Sequence, residues 1–239
     1  MSSNELAASV TLLGLPGSGK DRVKRALVEQ FGYDPQRIVT SVMIPSAKTG
    51  QAWCVIDVRP LVGIALGGAV EKHLQSLLAY ADGVIFSFVE AADLEAQAFW
   101  TQWVRQQESN VPIVRLLNRR FPESWSGFEI DETEKEKSGE PLPPLTLQCF
   151  EFEVGRVHLD HLMMGLDNSR QNLGVDIWRV QAVIDTFEYE NTVAVEATPF
   201  RWDCYAAGLD QAPGKIRIEG IDLDKRWLNE IIQASLLRP

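Results

Sequence analysis

The chain lacks the features that mark several familiar classes of protein. Its three cysteines, Cys54, Cys149 and Cys204, are an odd number and lie far apart, which argues against a disulfide framework. Basic residues are outnumbered, with 23 Lys and Arg against 33 Asp and Glu, so the formal net charge is −10. A general nucleic-acid or anionic-membrane binder usually carries the opposite sign, so the composition excludes both as primary partners.

Long hydrophobic runs are also missing. No stretch of about 18 apolar residues occurs, so we expect no membrane span. The first five residues, Met-Ser-Ser-Asn-Glu, have neither the basic start nor the apolar stretch of a signal peptide. Hydrophobic residues nevertheless make up 45% of the chain, which is enough for a sizeable core. We therefore expect a folded cytoplasmic protein, with a length that suits two domains.

The first half alternates short apolar runs with helical stretches. An alternation of strands and helices predicts parallel strand pairing through right-handed crossovers, and hence an α/β domain with a doubly wound parallel sheet. We assign residues 1–122 to this domain. The predicted strands are Val10–Leu13, Arg37–Met43, Trp53–Asp57, Gly83–Phe88 and Val111–Leu117, and the predicted helices are Asp21–Phe31, His73–Leu78 and Asp93–Gln107.

The composition changes after this domain. Residues 123–144 hold seven acidic residues and end in Pro-Leu-Pro-Pro, with few apolar positions, which predicts a linker or long loop. An ordered excursion on the surface is the alternative. Residues 145–239 follow the order strand, helix, several strands, helix, which predicts a smaller α+β domain with helices on one face of a largely antiparallel sheet. Asp222 or Asp224 is expected to cap the last helix.

One local motif carries chemistry. The segment Gly14-Leu15-Pro16-Gly17-Ser18-Gly19-Lys20-Asp21 fits Gly-x-x-x-x-Gly-Lys and lies between a strand and a helix. Its glycines would let backbone N–H groups surround phosphates, with Ser18 within the loop, and Lys20 would reach the outer phosphates. A Gly-rich turn that binds nothing is the alternative.

Two aspartates are candidate magnesium ligands. Asp21 stands where the motif normally has Ser or Thr, and its charge lies close to the phosphates, although a carboxylate can still bind a hard cation. Asp57 ends an apolar strand, where phosphate-loop proteins hold magnesium through water. An ordinary capping or loop aspartate explains Asp57 equally well.

Guanine recognition typically uses Asn-Lys-x-Asp at a strand end. Asn118 follows the strand Ile113–Leu117 and is a weak candidate for contact with the base, but no aspartate follows it.

The metal-binding patterns are weaker still. His158 and His161 share a helix face without enough further ligands, and no Cys-x-x-Cys pair occurs. We therefore expect no zinc or cobalt site.

Four stretches, taken in order, resemble the CobW family of phosphate-loop GTPases. These are Val10–Lys20, Val55–Val58 with Tyr80–Phe86, Asp93–Glu95 with Asn110–Val114, and Ile177–Ala182 with Lys215–Asp224. The resemblance spans most of the chain and implies a P-loop NTPase-like domain followed by a CobW C-terminal-like domain. It also implies GTP or another nucleotide as the ligand, together with magnesium.

The chain departs from that family pattern at several positions. Only residues 32–52 separate Phe31 from Trp53, which is too few for the switch region that the family has there. The Cys-x-Cys-Cys metal motif of that region is absent. Asn-Lys-x-Asp is replaced by Ser87-Phe88-Val89-Glu90. The leading hypothesis is thus a shortened, degenerate member that binds nucleotide with weak or no hydrolysis, while its second domain binds an unidentified protein partner. A non-enzymatic pseudo-GTPase is the main alternative, and an active metallochaperone GTPase is the third.

Overall fold

The structure is a computed structural model that describes residues 9–47, 50–61, 66–107, 110–128 and 146–236. The chain divides into two compact units, Met1–Leu61 with Ala65–Pro144 and Val62–Ile64 with Leu145–Pro239. No helix in the described ranges is both long enough and apolar enough to cross a membrane.

The first unit is a parallel α/β structure. Its elements in chain order are β1 (Val10–Leu13), α1 (Lys20–Phe31), β2 (Ile38–Ser41), β3 (Gln51–Asp57), α2 (Gly68–Tyr80), β4 (Gly83–Ser87), α3 (Leu94–Gln106) and β5 (Ile113–Arg115). All five strands pair in parallel, in the order β2-β1-β3-β4-β5. The predicted α/β fold class is confirmed.

The sheet order puts a reversal between β1 and β3. The chain steps from β1 to β2 on one side, and then continues from β3 to β4 and β5 on the other. Because crossovers are right-handed, these two directions place their helices on opposite faces of the sheet. In open α/β sheets, the crevice at the carboxyl ends of the two strands flanking such a reversal is the usual ligand site.

An aromatic cluster closes one face of this sheet, on which α1 also packs. Trp53 lies at its centre, with ring centroids 5.6 Å from Trp125 and 5.5 Å from Phe128. Phe121 stacks on Trp125 at 4.2 Å. The packed structure of the first unit therefore extends to Phe128, into the range predicted as a linker, because large aromatic side chains offset the polar composition around them. The rest of that predicted linker, residues 129–144, lies outside the described residues.

The second unit is an antiparallel sheet with two helices. Its elements are β6 (Gln148–Glu153), α4 (Leu159–Leu173), β7 (Asp176–Ile184), β8 (Val193–Thr198), β9 (Arg201–Ala206), β10 (Lys215–Ile221) and α5 (Lys225–Leu236). The strand order is β6-β10-β7-β8-β9, and every pairing is antiparallel. Its core joins buried residues of α4 and α5 to the inward-facing residues of the strands. This arrangement agrees with the expected α+β class.

Of the two predicted caps for α5, the structure selects Asp224. Its Oδ1 accepts hydrogen bonds from the backbone N–H groups of Arg226, at 2.8 Å, and Trp227, at 3.2 Å. Such bonds satisfy donors that a helix start leaves without partners. Asp222 instead adopts a positive φ of 49° in the turn before the helix.

Candidate functional site

The Gly-rich loop follows β1 at the sheet reversal. Residues 14–19 connect β1 to α1, and β3 runs beside β1 with Leu13 opposite Cys54. The predicted loop residues Gly14, Gly17, Ser18, Gly19, Lys20 and Asp21 therefore share one loop and the first turn of one helix. The sheet places them at the crevice that open α/β sheets use for ligands.

Two glycines are needed for the path of this loop. A side chain at Gly14 would place its Cβ 2.5 Å from the carbonyl oxygen of Val55, so the loop passes too close to β3 for any other residue. Gly19 has φ +91°, and a Cβ there would lie 2.9 Å from Cε2 of Phe88. A left-handed residue at this position turns the chain into α1 directly behind the loop. Gly17 also has a positive φ, of 79°.

Lys20 is folded over the loop that precedes it. Its Nζ donates to the carbonyl oxygen of Gly14 at 2.7 Å and to that of Leu15 at 2.8 Å. These bonds hold the ammonium charge against the loop instead of leaving a flexible side chain. A cation fixed in this way is preorganised for an anion, because less side-chain entropy is lost when the anion binds.

Ser18 presents the clearest unsatisfied group. The residue is 5% exposed, and its Oγ is buried without a hydrogen-bond partner among the described residues. Its backbone is fixed on both sides: its N–H donates to Leu15 O at 3.1 Å, and its carbonyl accepts from the Ser87 hydroxyl at 2.6 Å. A buried hydroxyl without a partner costs free energy. This Oγ packs inside the loop against Gly14, so it is not a contact for a ligand.

The helix that follows is open at its start. Gly19 is the residue at the N-cap of α1 and has no side chain to bond the first N–H groups of the helix. These donors and the positive end of the helix dipole face the loop, which favours an anion there. Asp21 lies exposed on the first turn of α1, where its carboxylate adds a negative charge near that position.

The second magnesium candidate, Asp57, is engaged elsewhere. It ends β3 at the predicted position, but both of its carboxylate oxygens accept from the Arg59 side chain, at 2.6–3.0 Å. Oδ1 also accepts from the Arg59 backbone N–H at 3.0 Å. The Arg59 guanidinium thus engages both carboxylate oxygens of Asp57, and both side chains are largely buried. A magnesium ion at Asp57 would have to compete with this bidentate ion pair.

The field of Lys20 reaches buried groups behind the loop. Burial raises the pKa of the Cys54 thiol to about 12, against a smaller lowering effect of Lys20. Burial lowers the pKa of His73, and Lys20 adds to that lowering, while a hydrogen bond with Val42 opposes it. His73 Nε2 lies 2.6 Å from the Val42 carbonyl oxygen, so the neutral ring acts as the donor. Both groups are uncharged at neutral pH.

Asn118 is joined to the site through its backbone. It begins a tight turn between Leu117 and Arg120, with φ 49°, and its N–H donates to Glu90 Oε2 at 3.2 Å. The other oxygen of Glu90 forms an ion pair with Arg22, on the first turn of α1. Burial acts to raise the pKa of Glu90, but its hydrogen bonds and Arg22 hold that pKa below the ordinary value. Glu90 is therefore an ionised carboxylate that is already paired.

Sequence reasoning did not assign a role to Arg22, Arg59, Ser87 or Phe88. Arg59 could have been found from its spacing, since it follows Asp57 by two residues. Ser87 and Phe88 lie in the stretch that replaces the guanine motif, but their contacts with the loop are made across 69 residues of sequence. No local pattern signals such a contact.

The described ranges contain no group of three or more His, Cys, Asp or Glu side chains that could hold a metal ion. His158 and His161 lie with ring centroids 5.1 Å apart at the start of α4, and His158 Nδ1 is 3.3 Å from Glu188 Oε1. This pair is accounted for by its contacts around the helix start.

No protein-family model matches the chain, and no curated protein matches it either. Among solved structures, Zn(II)-bound YjiA GTPase from E. coli is similar with 11% identity and a TM-score of 0.36, covering 97% of this chain and 99% of that one. A Zn(II)-bound triple mutant of YjiA GTPase has 10% identity and a TM-score of 0.35, with 92% and 68% covered.

Proposed function

We propose that residues 14–21 bind the phosphate chain of a nucleotide, with hydrolysis weak or absent. The observation that carries this proposal is the uncapped start of α1, which follows a Gly-rich loop that Ser87 and Lys20 hold in place. These groups suit an anion with several oxygen acceptors. GTP is the first nucleotide to test, and ATP is the comparison, since Asn118 contributes only its backbone to the contacts described.

Slow hydrolysis follows from the magnesium ligands. Phosphoryl transfer depends on a metal ion that neutralises developing charge and on a positioned water. Asp57 is held by Arg59, and Asp21 supplies a charge where a hydroxyl would coordinate magnesium without repelling phosphate. Magnesium is therefore proposed as a weak contributor, bound chiefly through the phosphates.

A non-enzymatic pseudo-GTPase is the second candidate. It is favoured by the bonds of Lys20 to the carbonyls of Gly14 and Leu15, which satisfy the ammonium within the loop. An active metallochaperone GTPase is the third candidate. It would need a metal-binding cluster, and the described residues supply no such group.

The second unit is proposed to bind a protein partner. Its sheet packs α4 and α5 against one face, and several charged strand residues lie outside that core. Arg179 pairs with Glu196 at 3.4 Å across β7 and β8, and Arg217 pairs with Glu219 at 2.8 Å. Charged groups arranged in this way support a surface that selects a partner by electrostatic complementarity.

The test is isothermal titration of the full chain with GTP and ATP, with and without magnesium. Lys20→Ala should weaken nucleotide binding by about 2–4 kcal/mol, in the range for a desolvated charged partner. Asp21→Thr should strengthen binding of the magnesium complex, because it removes a like charge and restores a hydroxyl. Lys24→Ala is the matched control: this lysine is on the same helix but donates to Ile38 O, at 2.8 Å.

A flat titration for both the wild type and Asp21→Thr would refute nucleotide binding. Equal losses for Lys20→Ala and Lys24→Ala would show that overall charge, and not the loop, attracts the ligand. The same flat titration would favour the non-enzymatic pseudo-GTPase, whereas binding without release of inorganic phosphate over a long incubation would agree with absent hydrolysis.

A further inference from the structure

Three arginines surround a small pocket beside the loop. Arg22 and Arg25 come from α1, Arg119 comes from the turn after β5, and Ala26, Glu29 and Phe88 complete the lining. This cationic cluster occurs in a chain whose net charge is −10. Glu29 lines the pocket and Glu90 pairs with Arg22, so three guanidinium groups stand against two carboxylates and the pocket is locally positive.

Two of these arginines have no acidic partner among the described residues. Arg25 and Arg119 are both exposed, and neither takes part in any ion pair found there. Arg22 does pair with Glu90, but its Nε is buried and has no hydrogen-bond partner. The pocket therefore contains two guanidinium groups without an ion-pair partner, and an anion would provide one.

The Phe88 ring lies between the pocket and the loop. The Arg59 guanidinium carbon lies 4.0 Å from the centroid of its ring, and that of Arg22 lies 4.9 Å away. Phe88 has φ 57°, an unfavourable conformation for a bulky residue that the surrounding contacts maintain. Its Cε2 also borders Gly19. The pocket is therefore adjacent to the loop while having its own set of side chains.

The size of the pocket limits its ligand. Its volume is about 190 Å³. Pockets that enclose drug-sized molecules have roughly 300–1,000 Å³, so this one suits a single small group. Guanidinium forks match the oxygens of phosphate in a bidentate manner, which a lysine cluster could not do.

We propose that this pocket, lined by Arg22, Arg25 and Arg119, binds a phosphate group separately from the loop at residues 14–21. The phosphate belongs to a small molecule. It is either a second phosphate on the molecule that occupies the loop or the phosphate of a separate molecule. Binding at the pocket does not require the loop to bind anything.

The experiment uses the Lys20→Ala chain, so that the loop contributes little. Isothermal titration with inorganic phosphate should show one site. Adding Arg25→Gln and Arg119→Gln together should raise the dissociation constant at least tenfold. Arg120→Gln is the matched control, since it is the next residue in the same turn and does not line the pocket. Its dissociation constant should stay within twofold.

A second arm compares a nucleoside 3′,5′-bisphosphate with the 5′-monophosphate on the wild-type chain. Tighter binding of the bisphosphate that disappears in the Arg25→Gln, Arg119→Gln chain would assign both phosphates to one molecule. Equal binding of the two nucleotides, together with phosphate binding in the Lys20→Ala chain, would assign the pocket to a separate molecule. The proposal is overturned if Lys20→Ala abolishes all phosphate binding, or if the double variant behaves like Arg120→Gln.

Discussion

The two glycines at the ends of α1 provide a controlled test of how tightly the loop is held. Gly19 and Gly32 both have positive φ, +91° and +71°, so alanine at either position adopts a strained backbone. Their surroundings differ. A Cβ at Gly19 would lie 2.9 Å from Phe88 Cε2 and 3.1 Å from Ser87 Oγ, whereas at Gly32 nothing lies within 4 Å. The difference between the two substitutions in free energy of unfolding therefore measures the contact of the loop with β4 and with the turn after it.

The magnitudes follow from these contacts. Gly32→Ala should lower the free energy of unfolding only by the strain of a left-handed backbone, about 1–2 kcal/mol. Gly19→Ala should cost the same strain plus the displacement of packed neighbours, a further ~1–3 kcal/mol. It should also weaken nucleotide binding, because Ser87 holds the Ser18 carbonyl at 2.6 Å and must shift. Gly32→Ala should leave binding unchanged.

Hydrogen–deuterium exchange of peptides from β1 and β3 measures the stability of the first unit separately from that of the second. Tryptophan fluorescence would not separate them, because the seven tryptophans are spread over the whole chain. Adding Phe88→Ala to Gly19→Ala should recover part of the extra loss, as a double-mutant cycle would show. Equal destabilisation by Gly19→Ala and Gly32→Ala would refute the close packing of the loop against Phe88 and Ser87.

Two further predictions concern the core of the first unit. Because burial keeps the pKa of His73 below its ordinary value of 6.5, the unfolded chain binds this proton more readily, so stability should fall as pH drops below about 6.5. His73→Leu should flatten that part of the pH profile of urea unfolding, and an unchanged slope would contradict the assignment. Phe128→Ala should destabilise the first unit by about 3–5 kcal/mol, because the ring is 7% exposed and packs on Trp53 and Trp125. A linker residue would instead give a change within about 0.5 kcal/mol in the same urea titration.

Local patterns predicted each element of the first unit, although α2 begins at Gly68, five residues before the predicted His73. Strand β1 and helix α1 have the expected positions to within a residue, since buried strands and amphipathic helices differ in the spacing of their apolar residues. The Gly-rich segment between them was also identified from its composition. The end of the first unit was not, because the acidic composition of residues 123–144 conceals the packing of Trp125 and Phe128 around Trp53.

The hydrogen-bond partners of the candidate site residues could not be predicted from their positions in the sequence. The prediction that Asp57 ends a strand is correct in position, but its engagement by Arg59 depends on how the chain turns after β3. The same holds for Asn118, whose backbone N–H meets Glu90 only because β4 and β5 pair in parallel and end at the same edge.

The sequence by itself determined a parallel α/β unit followed by an antiparallel α+β unit, and a Gly-rich turn between the first strand and the first helix, because periodicity and glycine content act over a few neighbouring residues. Only the tertiary structure decided that Ser87 holds this loop and that arginines from α1 and from the turn after β5 line one pocket. Those contacts join residues far apart in the chain, and strand order and pairing bring them together.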